Sequence, residues 1–249
     1  MFTRADPTNQ AHKASECLFS MPEYRSAKNI SVYLSMPNGE VSTRCIVEDA
    51  LRNGKRVFVP YLYKERLGGD SKASAIMDMV SLHSEVDYNS LQPDKWGIPT
   101  LDEASIPERT RVMGGIIEGA AVAGGGIGAA LDMMVMPGVA FDGERRRLGH
   151  GKGYFDFFLH RYQERLEVVS KEEHPSREVK MPFLGKILAI DFKMMIAHRL
   201  PLLVALALKE QFLPEEQAVP TTNLDYRLDA VIVGDGSLRR GRISKQIAL

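Results

Sequence analysis

Two cations and three closely spaced glycines stand together in residues 147–153, which read Arg-Leu-Gly-His-Gly-Lys-Gly. The segment follows an apolar run and precedes a helical pattern that starts at Tyr154. Backbone N–H groups exposed by glycines, a helix N-terminus and the cations Arg147 and Lys152 together make a site for an anion. A polyphosphate fits such a site, so the segment predicts nucleotide binding.

The spacing of these glycines differs from the known phosphate-binding patterns. The dinucleotide fingerprint needs Gly-x-Gly-x-x-Gly, and a Walker loop needs Ser or Thr after the lysine, which Lys152 lacks. A tight turn that needs positive φ would explain the glycines alone equally well. We favour anion binding because Arg147, Lys152 and a helix start coincide. The glycine cluster at residues 124–128 precedes its strand, and we interpret it as part of a linker spanning residues 114–128.

A carboxylate lies in the first turn of the predicted helix. Asp156 complements the positive helix end, which by itself explains its presence. Beside a polyphosphate, however, a carboxylate would repel the ligand unless a divalent cation lay between them, so Asp156 is also a candidate Mg²⁺ ligand. Asp229 precedes the last apolar run, and strand ends in α/β sheets meet in one crevice. Taken alone, Asp229 is a turn residue.

Short apolar runs alternate with helical patterns along the chain, as in strand–helix–strand units on a mostly parallel sheet. One helix is predicted from Ser42 or Thr43 to Asn53, with Gly54 as its stop signal. A second is predicted from residue 154 to about residue 169, with an apolar stripe at Tyr154, Phe157, Phe158, Tyr162 and Leu166. Strands are predicted at residues 30–34, 57–60, 77–80, 131–136, 203–208 and 230–233, and residues 187–190 compete with 203–208 for one place in the sheet.

The bulk properties exclude several classes of protein. Among 249 residues, 32 basic side chains balance 32 acidic ones, so no global field favours nucleic acid or a membrane surface. Cys17 and Cys45 give neither a disulfide framework nor zinc spacing. No apolar run reaches the roughly 18 residues of a membrane span, and no signal peptide is evident. We expect a soluble, cytoplasmic monomer, with a mitochondrial location left open.

Residues 137–142, Pro-Gly-Val-Ala-Phe-Asp, followed by residues 147–156, resemble the signature of the 5-formyltetrahydrofolate cyclo-ligases, also called 5,10-methenyltetrahydrofolate synthetases. The resemblance implies one domain over residues 1–249, a three-layer α/β/α fold with a mostly parallel, Rossmann-like sheet. It covers most of residues 24–184 and 203–237. Further matching blocks, in order, are residues 24–36 with Gly39-Glu40, 77–80, 96–99, 203–211 and 228–231.

The resemblance also implies an activity and its ligands. Members of this family use ATP and Mg²⁺ to convert 5-formyltetrahydrofolate, with or without a polyglutamate tail, to 5,10-methenyltetrahydrofolate, ADP and phosphate. Arg147 and Lys152 would be catalytic, and Asp156 and Asp229 would hold Mg²⁺. ATP would contact Arg147, Leu148, Gly149, His150, Gly151, Lys152, Gly153, Tyr154 and Phe155. The folate would contact Leu34, Glu40, Trp96, His150, Gly151, Lys152, Gly153 and Tyr154, although Trp96 fits a buried core position equally well.

Three departures from the family pattern keep other functions open. His150 stands where many members carry Arg, and residues 1–23 lack the family's helix with Lys-x-x-Leu-Arg, for which Arg4 and Lys13 are poor substitutes. Residues 185–202 form an insertion, either a surface excursion or an unspliced segment. A catalytically weakened homologue that binds folate or nucleotide is therefore an alternative. A sugar-phosphate isomerase or acyltransferase on a related fold is another, and it would need no ATP.

Overall fold

The apolar runs of the sequence form strands that are buried along their whole length. Residues 133–136, Met-Met-Val-Met, and residues 230–233, Ala-Val-Ile-Val, are buried at every position. Runs of this kind are typical of parallel strands whose two faces are both covered. The sequence therefore places its sheet in the middle of the molecule.

The computed structural model describes residues 6–65, 74–114, 128–173 and 200–241. Its helices are Pro7–Ser20 (α1), Pro22–Ser26 (α2), Arg44–Arg52 (α3), Glu85–Ser90 (α4) and Tyr154–Glu173 (α5), with 3₁₀ segments at Glu103–Glu108 and Lys209–Gln211. Its strands are Asn29–Val32 (β1), Arg56–Glu65 (β2), Ser74–Ser81 (β3), Gln92–Pro93 (β4), Pro99–Thr100 (β5), Met133–Met136 (β6), Ala140–Phe141 (β7), Arg147–Leu148 (β8), Leu202–Ala207 (β9), Ala230–Val233 (β10) and Leu238–Arg240 (β11).

Seven of these strands form one sheet in the order β11-β10-β9-β6-β1-β2-β3. The five strands from β10 to β2 pair in parallel, and β11 and β3 pair antiparallel at the two edges. In the centre, Ile30 lies opposite Met133 on one side and Val57 on the other. The prediction of a mostly parallel α/β sheet is confirmed.

Alternate residues of each central strand enter two different cores. In β6, Met133 and Val135 belong to the core that contains Leu18 of α1 and Ile46 of α3. Met134 and Met136 belong to the opposite core, which contains α5. Because strand side chains alternate between faces, this division gives helices on both sides of the sheet. The three-layer arrangement that the resemblance implied is present.

Helix α5 lies on the sheet through one apolar face. Its buried side chains include Phe158, Leu159, Tyr162 and Leu166. Phe157, which the predicted stripe contains, is 47% exposed, so the prediction is wrong at that position. The helix extends to Glu173, beyond the predicted end.

Helix α3 begins and ends close to the predicted residues. Thr43 occupies the N-cap position, but its hydroxyl donates to the carbonyl of Tyr33 at 2.7 Å instead of capping the helix. Gly54, with φ +71°, follows the helix in the left-handed region that favours glycine. Thr43 therefore attaches the helix start to the segment after β1.

A helix also forms near the N-terminus, where the sequence offers no Lys-x-x-Leu-Arg motif. The Asp6 carboxylate accepts from the backbone N–H of Thr8 at 3.0 Å, and Pro7 occupies the first helical position. Ala14 and Leu18 bury one face of α1 against the sheet. The segment therefore forms a helix without that motif, and a nucleotide contact by the segment stays a prediction.

Several predicted features lie partly or wholly outside the residues that the structure describes. Residues 115–127 of the linker, with all of its glycine cluster except Gly128, and residues 185–199 of the insertion lie outside the described residues. Of the two competing apolar runs, residues 203–208 supply β9 between β6 and β10, and residues 187–190 lie outside the described part. Among the described helices, none is long and apolar enough to cross a membrane.

The contact between α5 and the start of β6 gives a stability test. The hydroxyl of Tyr162, which is 1% exposed, accepts from the backbone N–H of Leu131 at 2.9 Å. Tyr162→Phe leaves that buried N–H without its partner, so we expect a loss of about 1–3 kcal/mol in the free energy of unfolding, measured by urea denaturation. Tyr61→Phe is the control, because the Tyr61 hydroxyl makes no hydrogen bond to the described residues. Equal losses in the two variants would contradict the assigned role.

Candidate active site

The glycine loop leads from the carboxyl edge of the sheet into a helix. After β6, the chain forms the short hairpin of β7 and β8, and residues 149–153 then connect it to α5. Gly151 and Gly153 have φ values of +76° and +64°, and no heavy atom lies within 4 Å of a Cβ added at either. These two glycines therefore serve the backbone conformation rather than close packing. The side chain of Lys152 between them is exposed.

Arg147, which lies two residues before this loop, is buried and forms an ion pair with Asp156. The Arg147 side chain is 5% exposed, and its Nη2 donates to Asp156 Oδ2 at 2.5 Å. Its guanidinium carbon lies 5.9 Å from the centre of the Phe155 ring. The sequence predicts two cations facing the ligand, whereas only Lys152 projects outward and the charge of Arg147 is balanced by Asp156. Direct ATP contact by Arg147 stays a prediction.

Two further glycines make room for Arg147. A Cβ at Gly149 would lie 3.0 Å from Arg147 Nη1, and a Cβ at Gly138 would lie 3.0 Å from Arg147 Cγ and 2.5 Å from Phe141 Cζ. These distances are shorter than ordinary contacts, so any side chain there would displace the guanidinium or the ring. The loop is therefore packed around the Arg147–Asp156 pair.

The first turn of α5 also contacts the segment that precedes β10. Asp156 Oδ1 accepts from the backbone N–H of Tyr226 at 3.3 Å. The preceding residue, Asp225, accepts with Oδ2 from the backbone N–H and the hydroxyl of Thr222, at 2.6 Å and 3.0 Å. The contact brings a second acidic residue close to Asp156. Sequence reasoning missed Asp225 because the Thr-x-x-Asp pattern is typical of an ordinary surface turn.

Asp229 lies at the other edge of the sheet. It directly precedes β10, so it stands at the amino end of a strand that runs parallel to β9 and β6. Its Oδ2 accepts from the backbone N–H of Leu203, near the amino end of β9, at 2.8 Å. The glycine loop leaves from the carboxyl end of β6. The expectation that strand ends bring Asp229 into the same crevice is therefore not met.

A turn after β1 forms the second part of the site. Leu34 is 8% exposed, and Glu40 folds back so that its Oε2 accepts from the backbone N–H of Met36 at 3.0 Å. Burial raises the pKa of Glu40, while the Met36 hydrogen bond and the charge of His150 act in the opposite direction. His150 of the glycine loop thus lies within electrostatic range of Glu40 in the turn, and folate contact by either residue stays a prediction.

Trp96 lies at the tip of the hairpin formed by β4 and β5. It is 65% exposed, so the alternative of a buried core indole is wrong. A Cβ at the next residue, Gly97, would lie 2.7 Å from Pro37 Cγ, which shows that the hairpin packs on the turn that carries Glu40. Lys95 Nζ lies 5.5 Å from the centre of the indole ring. An exposed aromatic face therefore stands beside the turn.

A magnesium ion bound through phosphate places modest demands on the acidic residues of the described part of the chain. Among the described residues, no group of three or more His, Cys, Asp or Glu side chains is arranged to hold a metal. Mg²⁺ usually binds through one or two carboxylates together with substrate phosphates and water. Asp156 is one such carboxylate, and its role as a Mg²⁺ ligand stays a prediction.

Comparisons with known proteins agree with this architecture. The model of the 5-formyltetrahydrofolate cyclo-ligase family matches residues 1–172. The chain belongs to this family. A Schizosaccharomyces pombe protein named as a probable 5-formyltetrahydrofolate cyclo-ligase is 28% identical over 237 residues, covering 94% of this chain and 90% of that protein. The mouse 5-formyltetrahydrofolate cyclo-ligase is 29% identical over 214 residues, covering 86% and 76%.

A solved structure shows the same fold as this cyclo-ligase family member. The NMR structure of Aquifex aeolicus 5,10-methenyltetrahydrofolate synthetase aligns with a TM-score of 0.56 at 21% sequence identity. The alignment covers 100% of this chain and 89% of that protein. The likeness confirms the α/β fold class.

The half-buried position of Glu40 predicts a pH-dependent stability. Because its pKa is raised in the folded state, its contribution to the free energy of unfolding is complete below the ordinary pKa and is lost as the pH rises through the folded pKa. Glu40→Gln removes this dependence and keeps an acceptor for the Met36 amide. We expect the variant to gain stability relative to wild type as the pH rises from about 4 to 7.

Urea unfolding of both proteins at a series of pH values measures this difference. Glu108→Gln, at an exposed position, controls for the loss of one negative charge. A difference between wild type and Glu40→Gln that stays constant across the pH range would contradict the assigned burial effect.

Proposed function

We propose that this chain is a single-domain enzyme that converts 5-formyltetrahydrofolate to 5,10-methenyltetrahydrofolate with ATP and Mg²⁺, releasing ADP and phosphate. The observation that carries the proposal is the link between the turn and the segment leading to the glycine loop, because the carbonyls of Gly39 and Gly138 both accept from Gln211 Nε2, at 3.0 Å and 2.8 Å. These segments follow two neighbouring parallel strands, β6 and β1. A nucleotide on one segment and a folate on the other would therefore adjoin. The family membership supports this assignment.

The chemistry explains why ATP is needed. A formamide oxygen is a poor leaving group, so in the first step it attacks the γ-phosphorus, and the bond from that phosphorus to ADP breaks. N10 of the folate then bonds to the activated formyl carbon and loses its proton, while the C–O bond breaks and phosphate leaves. Phosphoryl transfer of this kind depends on in-line placement and on neutralisation of negative charge rather than on a protein nucleophile.

The residues of the loop would supply these requirements. The exposed Lys152 and the backbone N–H groups of residues 149–153 would neutralise and orient the phosphates at the helix start. Arg147 would hold the loop through its buried pair with Asp156. When bound, Mg²⁺ would neutralise oxygens of the transferred phosphoryl group, and we propose Asp156 as its ligand, with Asp225 in place of Asp229 as the second acidic residue.

The turn and the nearby hairpin would form the folate side. Glu40 and Leu34 border the turn, and the exposed indole of Trp96 offers a flat apolar surface for the pterin ring. His150 and Tyr154 would contact both ligands, because His150 lies in the glycine loop within electrostatic range of Glu40 and Tyr154 begins α5. The substitution of His for Arg at residue 150 leaves fewer hydrogen-bond donors toward phosphate.

Lys152 gives the most direct test of the nucleotide site. In Lys152→Ala we expect kcat/KM for ATP to fall by about 10²–10³-fold, because one charge-stabilising donor to the phosphoryl group is removed. The assay follows the absorbance of the methenyl product from 5-formyltetrahydrofolate and Mg-ATP, with ATP omitted as the blank. Lys28→Ala, at the amino edge of β1, is the control and should keep full activity. Calorimetric binding of the folate by wild type without turnover would contradict the proposed function.

Asp156 tests the metal site without removing the acceptor that Arg147 needs. Asp156→Asn keeps one oxygen that can accept from Arg147 Nη2, but its amide nitrogen cannot accept from the Tyr226 N–H, and the variant loses the charge that a divalent cation requires. We expect a rise of at least about tenfold in the Mg²⁺ concentration for half-maximal activity. The same titration on Asp225→Asn tests the second acidic residue. Unchanged Mg²⁺ dependence in Asp156→Asn would exclude it as a ligand.

Gly151 tests the backbone conformation of the loop. With φ +76°, an alanine there carries a conformational cost of about 1–2 kcal/mol, so the loop shifts and the Kd for ATP rises by about 5- to 30-fold. Calorimetric titration with Mg-ATP measures this change. Gly143→Ala, in the hairpin tip, is the control because it has ordinary φ and open space around its Cβ. An unchanged Kd in Gly151→Ala would show that the loop conformation does not matter for binding.

A further inference from the structure

Gln211 uses every polar atom of its side chain to join three segments. It ends the 3₁₀ segment that follows β9 and is 9% exposed. Its Oε1 accepts from the backbone N–H of Leu208 at 2.8 Å. Its Nε2 donates to the carbonyl of Gly39 at 3.0 Å and to the carbonyl of Gly138 at 2.8 Å. One oxygen and two N–H groups are thus all satisfied.

The two carbonyls belong to the two halves of the candidate site. Gly39 precedes Glu40 in the turn after β1. Gly138 lies two residues after β6, in the segment that leads to the glycine loop, and a Cβ added to it would lie 2.5 Å from Phe141 Cζ and 3.0 Å from Arg147 Cγ. The amide of Gln211 therefore fixes the separation between the folate side and the nucleotide side.

The 3₁₀ segment that contains Gln211 is attached to helix α1. The backbone N–H of Lys209, in the same 3₁₀ segment, donates to Gln10 Oε1 at 2.8 Å. Gln10 Nε2 donates to Glu210 Oε2 at 3.2 Å, and the Gln10 side chain packs directly against Gly234 at the end of β10. Two hydrogen bonds to Gln10 thus attach the 3₁₀ segment to α1, which belongs to neither loop.

We propose that Gln211 is a positioning residue that sets the distance between the bound nucleotide and the bound folate. The inference rests on the proposed function, because it concerns a reaction between two ligands held on separate segments. Attack of the formyl oxygen on the γ-phosphorus requires the two atoms to lie in line and in contact, and a displacement of about 1 Å can cost about 10²-fold in rate. A primary amide is suited to this link, since an ionised carboxylate accepts hydrogen bonds but donates none.

Gln211→Met tests this role in the full-length protein. Because each half of the site keeps its own residues, we expect the Kd values for Mg-ATP alone and for 5-formyltetrahydrofolate alone to change by less than about threefold, while kcat falls by about 10- to 100-fold. Hydrogen exchange should accelerate in residues 36–40 and 137–141 together. Gln217→Met, at an exposed position, is the matched control and should keep wild-type kcat and exchange.

Gln211→Glu adds a readout that a merely structural role would not give. A protonated glutamic acid donates one hydrogen bond and an ionised one donates none, so kcat relative to wild type should rise as the pH falls. Wild-type kcat in folded Gln211→Met, or loss of both ligand affinities together, would overturn the positioning role. A wild type without turnover would overturn the proposed function and this inference together, whereas an active wild type with a fully active Gln211→Met variant overturns the inference alone.

Discussion

Three neighbouring strands, β9, β6 and β1, run in parallel, so their chains all leave the sheet at one edge. The turn with Glu40, the segment leading to the glycine loop and the 3₁₀ segment with Gln211 start there. Adjacent strands lie about 4.8 Å apart, and their hydrogen-bond register fixes where each chain emerges. The pairing of Val32 with Val135 and of Met136 with Ala205 therefore fixes where the three segments of the site leave the sheet.

The two cations at this edge of the sheet have different roles, because Arg147 is buried and Lys152 is exposed. The Arg147 side chain is 5% exposed and pairs with Asp156, so removing either partner would leave a charge with no compensation in a poorly solvated place. Lys152 is exposed and lies between two glycines with positive φ, so its ammonium can meet a ligand. Arg147 thus supports the loop through its buried ion pair, and Lys152 remains available to a ligand.

Sequence patterns predicted the elements well and the contacts between them poorly. Apolar runs located the central strands, and the glycine spacing located the loop before α5, because both signals are local. The prediction for Asp229 failed because a sequence shows that a residue adjoins a strand but does not show at which edge of the sheet that residue lies. Gln211 was missed because its partner Gly39 is 172 residues away, and nothing near Gln211 indicates that pairing. Asp225 was also missed, because the contact that brings it near Asp156 is made by its neighbour Tyr226, which is 70 residues from Asp156 in the sequence.

The glycines of the loop region show why a motif is only part of a site. In the sequence they look alike, but Gly138 and Gly149 lack side chains because Arg147 and Phe141 occupy that space, whereas Gly151 and Gly153 are needed for their backbone angles. The first pair depends on the packing of Arg147 and Phe141, and the second pair shapes the exposed turn around Lys152. A smaller residue at position 147 would open space at Gly149, whereas Phe141 would still exclude a side chain at Gly138. Loop packing and ligand contact therefore depend on different glycines, although they lie within one short stretch of chain.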